Sequence, residues 1–494
     1  MMTIALAVSL VAALLSLVAP RRLVEATALA ASVIEFGATI VLTGSVLGTG
    51  TVIELGGWLA ADALSAVVAL ITTGIGLLAA ACSIGYLRYD MRGRDIDRGE
   101  GLSDLRRYYT LFHLFVFAML VVPLSANLGV LWVAIEGATL ASLFLVSFYR
   151  TREALEAAWK YVIVGSVGIA LALFGTILVY AAAVPVLGQS IDLTWTALAA
   201  VAPRLNAGLM QLAFLFVLVG YGTKAGLAPM HTWLPDAHSE APSPVSALLS
   251  GVLLNSGMYG ILRVFSLSTA SVGTPRLDAL LLGFGLLSIL VATAFILRQT
   301  DYKRLLAYSS VEQLGIVTVA VAFGGPLGAY AALLQLVGHA LAKSTMFLAS
   351  GNVLLRYETR EIDQVTGVAR ALPLTGVFLL VGGLALAGAP PFALFVSEIS
   401  VLAAGLQVGS VAIAIVALVV LACLGVVFVA FMGHLNRMAF GRPPRGVVLG
   451  ERAGLGTYAL AAGGIALLVL GVTIPAPLHD LLAAAALTLQ GGVR

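Results

Sequence analysis

Residues 222–255 read GTKAGLAPMHTWLPDAHSEAPSPVSALLSGVLLN, and this stretch decides how the chain must be folded. Apolar runs flank a segment rich in proline, and Lys224 lies inside the first run. Proline removes a backbone donor and opens a helix, so the pattern predicts a broken helix. A second stretch of this kind is GAPPF at 388–392, with Glu398 shortly after it. Such breaks are tolerated at membrane depth only where they line protein or a wet cavity.

The composition of the chain explains why these breaks belong in a membrane. Of 494 residues, 60% are apolar and only 10% are charged, whereas a soluble domain averages roughly 25% charged residues. We therefore expect a polytopic membrane protein and exclude a soluble enzyme, a nucleic-acid binder and a disordered scaffold. The net charge of +3 is too small to predict a polyanionic partner. Two cysteines alone cannot hold an iron–sulphur cluster or a structural zinc, so we expect no cofactor in this chain.

Apolar runs long enough to cross a bilayer predict an all-α integral membrane protein with about fourteen transmembrane helices. A further stretch at 476–490 is expected to be an interfacial tail. The breaks fall in spans 7 and 12, and paired broken helices are typical of transporters built from repeats. Spans 4–8 and 9–13 should therefore form two five-helix repeats, inverted because five is odd. The runs lie near residues 2–20, 26–48, 61–87, 108–124, 128–149, 157–184, 206–228, 243–265, 277–297, 302–323, 327–355, 372–403, 408–434 and 455–475.

The same reading divides the chain and orients it. Basic residues concentrate in loops after odd-numbered spans, Arg94 and Arg98 among them, and such loops stay in the cytoplasm. This places both termini outside the cytoplasm, in what we expect to be a bacterial inner membrane. The opposite loops hold Arg204, Arg263, Arg276 and Arg494.

The predicted segments are a three-helix segment at 1–107, the first repeat at 108–265, the second repeat at 277–435, and a helix with its tail at 455–494.

Ionisable side chains inside apolar spans are costly and usually functional. The alternative is a buried salt bridge that only fixes helix packing, as Glu136 with Lys224 could do. Lys160 follows Glu156 by four residues, the spacing of an ordinary surface pair on a helix. The five main candidates, in spans 5, 7, 10, 11 and 12, are Glu136, Lys224, Glu312, Lys343 and Glu398, with Glu35 in span 2 as a weaker sixth.

Histidines add two further hypotheses. His339 precedes Lys343 by four residues, so both share one face of span 11. A neutral imidazole there could pass a proton, or it could be a core histidine whose hydrogen bonds are satisfied. Polar residues of the 229–244 loop could suggest a metal site, but their spacing matches no standard metal signature, so we expect no metal. These loop residues are His231, Asp236, His238 and Glu240.

Seven blocks of the chain resemble the antiporter-like subunits shared by complex I, Mrp-type cation/proton antiporters and energy-converting membrane hydrogenases. The wording HTWLPDAHSEAPSPVSALLSG and the Ser397–Glu398 ending are most similar to hydrogenase 4 component F. The blocks are WLAADALS (58–65), LWVAIEGATLAS (131–142), EAAWKYVIVGSVG (156–168), the stretch 222–255, DYKRLLAYSSVEQLG (301–315), HALAKSTMFL (339–348) and LALAGAPPFALFVSE (384–398).

The resemblance implies roles in proton transfer for particular residues. Glu136 matches the span-5 glutamate that pairs with a span-7 lysine, here Lys224. His339 and Lys343 match the connecting residues of span 11, and Glu398 matches the terminal charge of span 12. Some relatives have a lysine or a histidine on span 8 where this chain has Asn255 and Ser250. We therefore expect a relay or water-holding role for four further residues, His231, Ser250, Asn255 and Glu312.

The resemblance thus implies a proton-translocating, antiporter-like subunit of a redox complex related to complex I. No catalytic residue is expected, because the chain carries no redox centre of its own. Implied partners are the lipid bilayer, other antiporter-like and small membrane subunits, and peripheral iron–sulphur and nickel–iron hydrogenase-like subunits, with no nucleic acid. Two alternatives stay open, a sodium or other cation/proton antiporter subunit and a structural subunit that anchors a complex in the membrane.

Overall fold

The computed structural model describes residues 1–92, 99–188 and 193–490, and it is almost entirely helical. Arg94, Arg98 and Arg494, used above to orient the chain, lie outside these residues. One short hairpin, β1 (Val52–Glu54) and β2 (Leu59–Ala61), departs from the all-α prediction. The chain begins with three helices, α1 (Met2–Val18), α2 (Arg21–Thr49) and α3 (Ala63–Asp90).

Two longer groups of helices follow, and a final pair ends the described chain. The first group contains α4 (Gly99–Leu124), α5 (Leu128–Val146), α6 (Arg152–Leu187), α7 (Trp195–Val201), α8 (Ala207–Ala225), α9 (Leu234–Glu240), α10 (Ser243–Leu248) and α11 (Leu254–Val272). The second contains α12 (Thr274–Leu297), α13 (Tyr302–Phe323), α14 (Gly325–Tyr357), α15 (Val368–Ala371), α16 (Pro373–Leu386), α17 (Ala393–Gln407) and α18 (Val411–Ala439). The final pair is α19 (Leu455–Val472) and α20 (Ala476–Leu489).

Within the described ranges, twelve helical segments are long and apolar enough to cross a membrane. The two remaining predicted spans are shorter helices. One is the 17-residue α1, and the other is the pair α16 and α17, of 14 and 15 residues. The tail is helical as well, because α20 packs on α3 and α14 through buried residues such as Leu481 and Leu482. The count of about fourteen spans is therefore met by twelve long segments, one short helix and one broken helix.

Side-chain caps fix where several of these helices begin. Asp62 accepts a hydrogen bond from the Ser65 amide at the start of α3. Asn127 accepts from two backbone amides of α5, and Asp301 does the same for α13. Each cap satisfies backbone donors that have no partner within the helix. These polar residues therefore mark the ends of spans that would otherwise read as uninterrupted apolar sequence.

The two predicted breaks are present. Helix α8 ends at Ala225 and is capped by Gly226, whose φ of 76° lies in the left-handed region that glycine adopts without steric cost. The chain then passes through a short 3-10 turn into α9. In the second break α16 ends at Leu386, Gly388 has a φ of 70°, and α17 begins at Ala393. The sequence did not indicate a third irregularity, a π-helical turn at Leu249–Leu253 between α10 and α11.

The two groups of helices pack in the same order. In the first group α4 packs on α5, α5 on α6, α6 on α8, and α8 on α11. In the second group α12 packs on α13, α13 on α14, α14 on α17, and α17 on α18. Each group crosses the membrane five times, which is an odd number. Each helix of the second group therefore runs in the opposite direction to the helix that it matches in the first group. Helix α14 joins the groups, because it also packs on α10, on the π-helical turn and on α3.

Candidate proton-transfer site

Lys224 lies on the last turn of α8, one residue before the helix ends, and it is fully buried. Its Nζ has no hydrogen-bond partner among the described residues. The ammonium lies 4.8 Å from the centre of the Tyr161 ring on α6, a cation–π arrangement. Gly165, one turn further along α6, makes room for it, since a Cβ there would come within 2.6 Å of Nζ. The lysine is thus held by a ring and a patch of bare backbone.

Glu136 faces this lysine from α5. Its side chain is partly buried, and its Oε2 has no hydrogen-bond partner in the part of the chain that the structure describes. The carboxylate is close enough for its charge to act on Lys224, yet Lys224 Nζ makes no ion pair with it. The two side chains are therefore not held together by a hydrogen bond.

Aromatic rings continue from Lys224 across the break. Tyr161 and Trp233 lie with their ring centres 4.6 Å apart, and Trp233 lies 6.2 Å from the His238 ring. The Trp233 indole donates to the Thr223 carbonyl at 2.8 Å, which ties the 3-10 turn to the end of α8. The Tyr161 hydroxyl lies 2.8 Å from the Ser142 hydroxyl. These contacts set the spacing between the first lysine and the loop histidines.

His238 lies at the junction of the two groups of helices, a position that sequence reasoning missed. It is fully buried on α9, and its Nδ1 lies 2.9 Å from the Leu234 carbonyl oxygen. Its Nε2 has no hydrogen-bond partner within the described residues. Lys343 and His339 on α14 are close enough to interact with it electrostatically. His238 therefore places an ionisable side chain beside Lys343 and His339.

The other loop residues are not gathered around one ion. The described residues contain no group of three or more His, Cys, Asp or Glu side chains placed to hold a metal. Asp236 binds Lys160 at 3.0 Å and also Arg304, while Glu240 binds Arg360 at 2.7 Å. The predicted pair of Lys160 with Glu156 is present as well, at 2.8 Å. His231 is buried, with its ring 6.1 Å from the Tyr308 ring.

The π-helical turn brings the predicted water-holding residues against α14 and α13. The Ser250 hydroxyl lies 2.8 Å from that of Ser310, and the His339 ring faces the Ser250 backbone. Asn255 donates to the Gly251 carbonyl at 3.0 Å, while its Oδ1 has no partner in the described chain. Gly251 permits the close approach, because a Cβ there would lie 2.6 Å from the Ser344 hydroxyl.

Lys343 is the buried cation of the second group. Its ammonium donates to the Leu306 carbonyl and to the Ser309 hydroxyl, both on α13. Glu312, two turns along α13 from Leu306, is close enough to interact with Lys343 electrostatically. Glu312 also interacts with Glu398 on α17. Lys343, Glu312 and Glu398 therefore form one coupled set inside the second group.

Two glutamines complete this set, and sequence reasoning missed both. Gln335 donates a hydrogen bond to the Gln313 side-chain oxygen, and both glutamine side chains lie beside the Glu398 carboxylate. The Ser397 hydroxyl donates to the Gln335 side-chain oxygen. A signal for Gln335 was present in the sequence, since it precedes His339 by four residues and Lys343 by eight, which places all three on one helix face.

A comparison with known families assigns the chain. The transmembrane family described as NADH:quinone oxidoreductase/Mrp antiporter matches residues 125–425, which include both breaks and all the buried charges described above. The chain belongs to this family. The matched region contains helix α14 and overlaps both repeats.

Individual relatives support the assignment. A hydrogenase-4 component F homolog from Methylacidiphilum infernorum is 40% identical over 389 residues, which is 78% of this chain and 80% of the relative. Hydrogenase-4 component B from Escherichia coli is 33% identical, over 68% of this chain and 49% of its own length. Subunit N of the F420H2 dehydrogenase from Methanosarcina mazei is 28% identical, over 73% and 71%.

Solved structures show the same fold in this antiporter family. A chain of the archaeal membrane-bound sulfane sulfur reductase aligns over 99% of this chain and 97% of that one, with a TM-score of 0.85 and 24% identity. A chain of the Mrp complex from Dietzia aligns over 99% and 97%, with a TM-score of 0.84 and 22% identity. A chain of respiratory complex I from Thermus thermophilus gives a TM-score of 0.74 at 26% identity, over 95% and 96%. The protein is therefore a multi-span, antiporter-like membrane subunit of the kind found in multi-subunit membrane complexes.

Proposed function

We propose that this antiporter-like subunit translocates protons within a redox complex related to complex I. The observation that carries the proposal is the environment of Lys224. The Lys224 ammonium is buried at a helix break, lies over an aromatic ring, and has no hydrogen-bond partner in the described chain. A charge in such a place is energetically costly inside a membrane. Such a lysine changes its proton affinity readily when a nearby carboxylate moves. Displacement of Glu136 toward or away from Lys224 would therefore load and unload its proton.

The path that follows uses the residues at the junction. From Lys224 the proton would pass along the break to His238, then to His339 and Lys343 on α14. Glu312, Glu398 and the two glutamines would carry it to the far side. His231, Ser250 and Asn255 would hold water along this path. Histidine suits the junction, since one ring nitrogen can accept a proton while the other donates one.

The four-segment division and the orientation are part of the same proposal. The segments 108–265 and 277–435 would be the two conducting units, each with its own break. The segments 1–107 and 455–494 would support them. Both chain termini would lie on the non-cytoplasmic side, with the arginine-rich loops in the bacterial cytoplasm.

Energy for translocation would come from partner subunits. The buried groups described here bind and pass protons, and none of them carries out electron transfer. We infer that the chain associates with other antiporter-like membrane subunits and with peripheral iron–sulphur subunits, including one like nickel–iron hydrogenases. Helices that expose large apolar side chains on one face, such as α2 and α18, suit contacts with lipid and with further membrane subunits.

The test replaces Lys224 by alanine in the assembled complex and compares it with Lys160→Ala. Lys160 is half exposed and forms only surface ion pairs, so its loss should leave proton translocation unchanged. The Lys224→Ala complex should assemble with normal subunit composition while proton uptake by its sealed vesicles is abolished. Uptake would be followed with a pH-sensitive dye after addition of the electron donor.

Two results would contradict the proposal. Normal proton uptake by Lys224→Ala would leave the chain with a structural role. Sodium-dependent transport that persists in the presence of a protonophore would mean that sodium, not the proton, is the transported ion. Purification of a tagged chain would identify its partners by mass spectrometry, and a complex without any redox subunit would refute the redox half of the proposal.

A further inference from the structure

A buried carboxyl group lies outside both repeats, in the N-terminal three-helix segment. Glu35, midway along α2, has no exposed surface. Its Oε1 accepts a hydrogen bond of 2.6 Å from the Ser9 hydroxyl on α1. Its Oε2 has no hydrogen-bond partner in the described chain. A carboxylate with one neutral donor and no cation is costly at this depth, so the group must be neutralised by a bound proton or a bound cation.

Polar residues line the same face of α2 on both sides of Glu35. Ser32, one turn before it, is buried, and its hydroxyl has no partner in the described residues. Thr39, one turn after it, lies 2.7 Å from the Thr73 hydroxyl on α3. Glu25, further toward the start of α2, is buried and bound by Arg88 at its surface-facing end. The spacing of Glu25, Ser32, Glu35 and Thr39 places all four on one helix face. This polar face leads from the arginine-rich end of the bundle to Glu35.

Helix α4 adds a histidine at the depth of Glu35. Arg106 donates to the Ala19 carbonyl and Thr110 to the Ala13 carbonyl, so α4 runs antiparallel to α1. His113 follows Thr110 by three positions, and Ser9 precedes Ala13 by four. At about 1.5 Å per residue, His113 and Ser9 are therefore at nearly the same level. His113 is fully buried, and both ring nitrogens are without partners among the described residues.

The other helices packed on α2 offer few groups at this level. Helix α1 contains no titratable side chain. Helix α3 carries Thr72 and Thr73 here, and its titratable residues, from Cys82 to Asp90, follow at the other end. On α4, Tyr109 interacts with Glu25 rather than with Glu35. His479 and Asp480 of α20 are exposed. Among the described residues of these helices, His113 is thus the titratable group at the level of Glu35.

We propose that Glu35 is a second proton-binding site, separate from the path that leads from Lys224 to Glu398, and that it exchanges its proton with His113. A proton on Oε2 removes the uncompensated charge of the carboxylate, while Ser9 continues to donate to Oε1. Transfer moves the proton from a ring nitrogen of His113 to Glu35 Oε2, which leaves a neutral imidazole and a neutral carboxyl group. A bound sodium ion would instead need several oxygen ligands around one point.

The direct test is carbodiimide labelling of the intact complex in membranes. Dicyclohexylcarbodiimide is apolar and reacts with protonated carboxyl groups, and peptide mass spectrometry locates each adduct. We expect an adduct on Glu35, formed about tenfold more slowly for each pH unit above its midpoint, and lost in Glu35→Gln. Replacing choline chloride by sodium chloride should not change the rate. No adduct on Glu35, or protection by sodium at constant pH, would overturn the proposal.

A matched pair of histidine variants tests the exchange partner. His113→Gln should shift the pH midpoint of Glu35 labelling, because the facing imidazole is lost. His479→Gln, on the exposed end of α20, should leave the midpoint unchanged. An unchanged midpoint in His113→Gln would remove the histidine from the proposal. Labelling needs no turnover, so it should be normal in Lys224→Ala, and its outcome is independent of the function proposed for the repeats.

Discussion

The open space beside Lys224 allows a perturbation that leaves both charges of the first repeat in place. In Gly165→Ala, the new Cβ would lie 2.6 Å from Lys224 Nζ and 3.5 Å from its Cε. Ordinary contact requires at least 3.4 Å, so the ammonium must move by about 1 Å. The lysine end is flexible, and the movement withdraws it from the Tyr161 ring. A desolvated cation–π contact contributes about 1 to 2 kcal/mol, which corresponds to a factor of roughly 5 to 30.

We therefore expect Gly165→Ala to slow proton uptake by vesicles about 5- to 30-fold, with unchanged assembly and unchanged electron transfer by partner subunits. Gly137→Ala is the control, since Gly137 adjoins Glu136 but a Cβ there meets nothing within 4 Å. Both substitutions raise helix propensity by about 1 kcal/mol, so a difference between them reports on Lys224. Equal uptake in the two variants would refute the view that the position of this ammonium controls translocation.

Three further predictions concern other parts of the site. Gln335→Leu should uncouple Lys343 from Glu398 and reduce proton uptake about tenfold while stability stays near that of the parent. Glu312→Gln should impair uptake less than Lys343→Ala, measured in the same vesicles. Asp62→Asn should destabilise the complex by about 3 kcal/mol, seen as a lower unfolding temperature, because Arg263 would lose its buried counter-charge. Burial raises the pKa of Asp62, but Arg263 holds it below its ordinary 3.8, so this stabilisation is present above about pH 4 and is lost as pH falls through the folded-state pKa.

Sequence patterns predicted the features that depend on local chemistry. A proline-rich interruption in an apolar run identifies a break wherever it occurs, so both breaks were found from residues 222–255 and 388–392. The buried charges were also predicted from local sequence, because an ionisable residue within a long apolar run is expected to lie inside the membrane. Length and composition were sufficient for the number of spans, with α1 and the broken α16–α17 pair as its weakest members.

What depends on packing between distant segments could not be predicted. His238 reads as a loop residue, and only the return of the α9 segment between the groups places it beside Lys343. Lys303 reads as a loop cation, yet it is buried and donates to the Ala241 carbonyl at 2.6 Å. Arg263 was counted among loop charges, but it is buried against Asp62, 201 residues earlier. Each of these positions is set by contacts far apart in sequence.

The charges of Lys343, Glu312 and Glu398 explain why Glu312→Gln should impair proton uptake less than Lys343→Ala. The coupled set in the second repeat contains two buried carboxyl groups, Glu312 and Glu398, and one buried lysine, Lys343. With all three ionised this set would carry a net negative charge, which is costly in a buried membrane site. One proton shared by the two carboxyl groups removes that charge, so the set rests with a proton already bound. Glu312→Gln resembles this protonated state and keeps the balance. Lys343→Ala leaves no cation, so both carboxyl groups must hold protons and neither can accept one from the junction.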